Sequence, residues 1–140
     1  MLRARRLSLL VLLACLSLPA GPAVPAGRLN QGPRVIEVTA KRYEFEPSEI
    51  RIKKGAKVQL KITSSDREHG VKFTLYPEGT KEAGTPGLTI ASQQECFKVE
   101  KGGSTIVELT GQTPGTYSFK CCVSCGTGHS RMKGKLIVEP

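Results

Sequence analysis

The sequence predicts an all-β fold, an antiparallel β-sandwich of about seven strands. Three observations carry that expectation. Apolar and polar residues alternate in short stretches, which gives each stretch one face to bury and one to solvate. Gly, Pro and Ser/Asp clusters separate the stretches. No window sustains a helical period, apart from a single turn near Ala91 to Cys96.

The elements follow in chain order. Met1 to Arg6 is a basic segment, and the apolar run Leu7 to Leu18 follows it. At about 12 residues the run is shorter than the roughly 20 needed to cross a bilayer, so residues 1–26 read as a signal peptide. Cleavage after Ala20 or Ala26 is one processing route. Leu12-Leu13-Ala14-Cys15 also resembles a bacterial lipobox, which would make Cys15 a lipidated first residue. Residues 27–34 form a linker, and 35–140 a single domain. Its predicted strands are Val35 to Ala40, Glu49 to Lys53, Val58 to Thr63 and Val71 to Leu75, then Ser104 to Leu109, Thr116 to Lys120 and Lys135 to Val138. Tyr43, Phe45, Tyr117 and Phe119 are expected in the core or on strand faces.

The 140 residues carry 21 basic and 12 acidic side chains, a formal net charge of +9. Loss of residues 1–26 removes Arg3, Arg5 and Arg6, leaving 18 basic against 12 acidic groups, a net +6. The charge falls between apolar positions without the Arg–aromatic interleaving of nucleic-acid surfaces, so no nucleic-acid partner is expected. Steering toward an acidic protein or anionic lipid fits the charge, and simple solubility explains it most directly. The composition also excludes a disordered chain and a multi-spanning membrane protein.

Chemistry is concentrated between the last two predicted strands. Cys121-Cys122-Val123-Ser124-Cys125-Gly126-Thr127-Gly128-His129-Ser130-Arg131-Met132 is a Cys-x3-Cys-x3-His-x2-Met pattern. Two thiols, an imidazole and a thioether on one short loop can converge without long-range closure. Soft sulfur with imidazole suits copper, and the thioether argues against zinc. The chain's other imidazole, His69, ends the segment Ser64-Ser65-Asp66-Arg67-Glu68-His69, just after a predicted strand. A sandwich that brings the two loops together would complete a site.

At these residues the sequence resembles the cupredoxins, which carry a His near the end of an early strand and a Cys…His…Met cluster before the last one. The doubled cysteine is similar to the binuclear CuA site of cytochrome c oxidase subunit II and of the cupredoxin domain of nitrous oxide reductase. Phe45-x-Pro47-x-x-Ile50-x-Ile52-x-x-Gly55, Val58-x-Leu60-x-Ile62 and Asp66-x-x-His69 extend the likeness over about residues 35–139. The resemblance implies a Greek-key cupredoxin sandwich that acts as an electron carrier and not a catalyst, with no need of an open coordination position. It implies two copper ions held by Cys121 and Cys125 as bridging thiolates, with His69 and His129 binding one ion each. Met132 and the backbone carbonyl of Val123 would be weak ligands. The signal peptide implies an extracytoplasmic location, and the resemblance a redox partner such as a c-type cytochrome or terminal oxidoreductase, with membrane contact only through a lipid anchor. An accessory role to a respiratory oxidoreductase fits the same reading.

The sequence departs from that pattern in several places. Val123 stands where an acidic residue is common, Cys122 and Cys96 are extra thiols, and there is no Trp. The paired N-terminal membrane helices of subunit II have no counterpart, so a free-standing exported domain is expected. A mononuclear site of His69, Cys125, His129 and Met132 is the main alternative, with Cys121 the discriminating residue. A copper-handling protein and a disulfide-bonded interaction domain are the others; in the last, Cys121 and Cys125 would be bridged. Cys96 and Cys122 remain over for a bridge of their own.

Overall fold

Strand-forming alternation builds two stacked sheets. The structure, a computed structural model, describes residues 32–140. The expected signal peptide 1–26, the lipobox at Cys15 and most of the linker lie outside the described residues. Ten strands follow in order: β1 (Arg34–Lys41), β2 (Glu44–Glu46), β3 (Glu49–Lys53), β4 (Lys57–Ser64) and β5 (His69–Phe73). They continue as β6 (Leu88–Ile90), β7 (Phe97–Val99), β8 (Ser104–Gly111), β9 (Gly115–Lys120) and β10 (Lys133–Glu139). One sheet has the order β2-β1-β4-β8-β6 and the other β3-β10-β9-β5-β7. The all-β sandwich is borne out, and among the described residues a single 3₁₀ turn, His129–Arg131, is the one helical element.

Three details correct the sequence reading. There are ten strands where about seven were expected, because β2, β6 and β7 are three residues each, too short to display an alternation. The sheets are also mixed: β1 runs parallel to β4, and β3 parallel to β10. Between β1 and β4 the chain crosses to the opposite sheet to lay down β3, then returns in its original direction. The segment Ala91 to Cys96 forms no helix.

The inward faces are those that the alternation marks. Val58, Leu60 and Ile62 of β4 are buried, as are Ile50 and Ile52 of β3 and Leu136 and Val138 of β10. Each such side chain contributes about 1.5–3 kcal/mol on leaving water. Phe119 is central, with Phe45 edge-on at 5.2 Å and Phe73 tilted at 5.6 Å between ring centroids. Its ring fills the place of a side chain at Gly134, where a Cβ would collide with the Phe119 Cζ. Tyr117 is fully buried, and its hydroxyl donates to the Thr113 carbonyl at 2.7 Å, which makes burial of the oxygen tolerable.

Candidate metal centre

The site sits at the end of the sandwich where β4 turns into β5 and β9 gives way to β10. In the first turn, the Ser64 hydroxyl donates to the Arg67 carbonyl, and Asp66 accepts the Arg42 backbone N–H at 3.1 Å. The other Asp66 oxygen lies 2.8 Å from His69 Nε2. A carboxylate can only accept, so the imidazole proton sits on Nε2 and the Nδ1 lone pair is left free. Nδ1 faces the Cys121 sulfur at 4.0 Å. Burial alone pushes the Asp66 carboxyl up, but hydrogen bonds from His69 and from the Arg42 N–H outweigh it and hold it below its ordinary value. His69 itself is completely buried.

The second loop is closed at its neck, where the Cys121 N–H donates to the Met132 carbonyl at 3.0 Å. Within it, Gly126 takes a left-handed φ of +121° and accepts the His129 N–H at 3.0 Å, starting the 3₁₀ turn. Gly128 must lack a side chain: a Cβ there would fall on the Tyr43 ring. Arg67 reaches across from the first turn and donates to the Cys125 carbonyl.

These constraints gather every sulfur and imidazole expected from the sequence. The Cys121 and Cys125 sulfurs are 3.8 Å apart and unbridged. Cys125 Sγ lies 3.7 Å from His129 Nδ1 and 3.8 Å from Met132 Sδ. Cys121 Sγ lies 3.2 Å from the Val123 carbonyl oxygen. Donor atoms of His69, Cys121 and Cys125 all fall within 4.8 Å of one another. Cys121, Cys125, Met132 and His69 are buried, while His129 and Val123 are half-buried. Burial, reinforced by the adjacent Cys121 sulfur, pushes the Cys125 thiol up. Two buried thiols side by side, with the Nδ1 atoms of two imidazoles turned toward them, form a donor set suited to a soft metal ion.

The leftover cysteines do pair. Cys96 and Cys122 form a disulfide that closes a sequence separation of 26 residues. It lies over Gly70, whose missing side chain makes room: a Cβ would be 2.7 Å from the Cys122 sulfur. Three contributors were not read as part of the site from sequence. Asp66 shows only as a motif position three before His69, Tyr43 reads as a core or strand-face residue, and nothing local marks Arg67.

A two-sheet sandwich with a buried thiol–imidazole–thioether set at one end is the class of protein that this fold and site define. More particularly, the chain belongs to the cupredoxin-like domain family, whose pattern matches residues 6–138. It is 28% identical to cytochrome c oxidase subunit 2 of Thermus thermophilus over 120 residues, 86% of this chain and 76% of that protein. Against a second Thermus thermophilus subunit 2 sequence, from a named strain, the identity is again 28%, and the match spans 61% of that protein. Among solved structures, a heme-copper terminal oxidase dimer matches with a TM-score of 0.55 at 27% identity, covering 79% of this chain and 68% of that one. Auracyanin A, a "blue" copper protein of Chloroflexus aurantiacus, has the same fold, with a TM-score of 0.55 at 19% identity over 77% of this chain and all of that one.

Proposed function

We propose that this chain is an extracytoplasmic electron-transfer protein that holds two copper ions in a CuA-type centre. The observation that carries the reading is the pair of unbridged sulfurs 3.8 Å apart, each with an imidazole Nδ1 turned toward it at 4.0 and 3.7 Å. Copper, when bound, supplies one-electron redox chemistry. Cys121 and Cys125 would help hold the copper as thiolates, offsetting positive charge in a dry pocket. His69 and His129 would bind one ion each, and Met132 and the Val123 carbonyl would be weak ligands. Asp66 holds His69 in the tautomer that leaves Nδ1 free, and the Arg67 bond to the Cys125 carbonyl steadies the loop. The donors come from the start of β5 and from the loop between β9 and β10, both tied to paired strands, so the set need move little on a one-electron change.

Membership of the cupredoxin-like family and the likeness to oxidase subunit 2 support copper and electron transfer. A redox protein such as a c-type cytochrome or a terminal oxidoreductase is the partner class proposed. Residues 1–26 are proposed as the export signal and 35–140 as the functional domain. The mononuclear alternative leaves Cys121 without a task. The deciding experiment is copper stoichiometry combined with electron paramagnetic resonance of the oxidised, copper-loaded protein. Two coppers per chain sharing one unpaired electron are expected; one copper with an ordinary four-line hyperfine pattern would overturn the binuclear assignment. Cys121→Ser should abolish the binuclear spectrum, and survival of the native spectrum would refute the ligand set.

A further inference from the structure

Three lysines stand side by side on the outer face of the β3-β10-β9-β5-β7 sheet. Lys120 of β9 is directly opposite Lys133 of β10 on one side and Lys72 of β5 on the other. All three are exposed, while Phe119, Gly134 and Phe73 beside them are buried, so the lysines share the solvent face. Directly opposed like charges on a sheet repel. Among the described residues, Lys72 alone of the three has a carboxylate within ion-pair distance, Glu95 at 3.3 Å. Lys135 lies two positions further along β10. Solubility needs positive charge somewhere on the surface, but it does not need it stacked in register.

The row also sits beside the candidate centre. Lys120 immediately precedes Cys121, and Lys133 immediately follows Met132. Next to Lys72 and Lys120 lies a groove of about 590 Å³, with Phe73, Leu75, Ile90 and Phe97 among its apolar lining and Glu82 and Glu95 among its polar lining. An anionic bilayer would be repelled by those two carboxylates. A protein surface can complement a basic row, an apolar groove and two acids together.

We infer that the Lys72–Lys120–Lys133 row, with the adjoining groove, is the docking surface for an acidic face of the electron-transfer partner. The inference rests on the proposed function for its purpose, but not for its first test. Amide NMR of the full chain, with and without copper, is followed while a short polyglutamate peptide is added as a probe. Shifts centred on Lys72, Ser118, Lys120 and Lys133 are expected, with binding weakened about tenfold in K72Q/K120Q/K133Q. The control K53Q/K54Q/K57Q removes as much charge from the opposite end of the sandwich and should change binding little. Equal weakening by the control, or shifts scattered over the surface, overturns the proposal. Row-dependent sedimentation with phosphatidylglycerol vesicles, as tight as peptide binding, overturns it in favour of a lipid surface. In copper-loaded, reduced protein, hexacyanoferrate(III) takes one electron and is itself reduced. The row variant should slow that step about tenfold without slowing oxidation by a cationic cobalt(III) complex. Equal slowing of both reagents overturns the role of the row. A protein that never becomes redox-active would defeat the proposed function alone, because the peptide titration stands without copper.

Discussion

Removing the Cys96–Cys122 bridge tests how far the sandwich depends on a covalent tie beside its ligand loop. The double variant C96A/C122A frees a chain segment with a separation of 26 residues, and the loop-closure relation puts the loss at about 3.5 kcal/mol. Spread over an unfolding entropy of about 2.1 cal/mol/K per residue, that lowers the melting temperature of this domain by about 15 °C. Little packing is lost in addition, since both cysteines are half-buried and Gly70 beneath them has no side chain to strand. The assay is urea unfolding of the metal-free protein, with wild type and variant compared at matched slopes. The variant should keep Cys121 and Cys125 free and reactive toward a thiol reagent in the unfolded state. A loss below about 1 kcal/mol would refute the loop-closure reasoning and point to a denatured state already held together there.

Phe119→Ala, which empties the space between Phe45, Phe73 and Gly134, should cost about 3–5 kcal/mol, read by the same unfolding assay. Gly128→Ala drives a methyl into the Tyr43 ring and should destabilise by about 1–3 kcal/mol; the paired change Y43A/G128A should recover part of that loss. Lys53, and then Arg51, hold the Glu139 carboxylate below its ordinary pKa of 4.5. Its contribution is therefore full above that value and is lost as pH falls through the lower folded value, so Glu139→Gln should flatten the acid limb of a stability-against-pH curve. Asp66→Ala removes the acceptor that orients His69, and copper uptake should weaken about 10- to 100-fold, measured by competition with a chelator.

Period-2 alternation was enough to locate β1, β3, β4, β5, β8, β9 and β10, because each has to bury one face and solvate the other. Leu88–Ile90 and Phe97–Val99 escaped it: three residues cannot show a period, and their strand character comes from the neighbours they pair with. The parallel pairings were equally invisible, since direction depends on which sheet the chain visits in between. The lysine row belongs to the same class. Lys72, Lys120 and Lys133 look like isolated surface charges along the chain, and only cross-strand register makes them adjacent.

The site was legible because its donors are scarce. Two imidazoles and one non-initiator thioether leave few ways to build a soft-metal centre, and all three lie beside the buried thiols. What spacing could not supply is the support: Arg67 reaches Cys125 across 58 positions, and Tyr43 packs on Gly128 from the turn between β1 and β2. The adjacent cysteines show how one rule sorts chemistry. Consecutive side chains on an extended backbone point to opposite sides, so Cys121 turns in to the metal-site donors while Cys122 turns out to Gly70 and Cys96. The bridge has a consequence for its neighbours. Thiol–disulfide exchange needs a free thiolate within reach of a disulfide sulfur, and the thiols of Cys121 and Cys125 are buried, that of Cys125 also with its pKa raised. Tying up the outward cysteine thus removes the one competing thiol adjacent in sequence to Cys121, and leaves Cys121 and Cys125 as the free, buried pair.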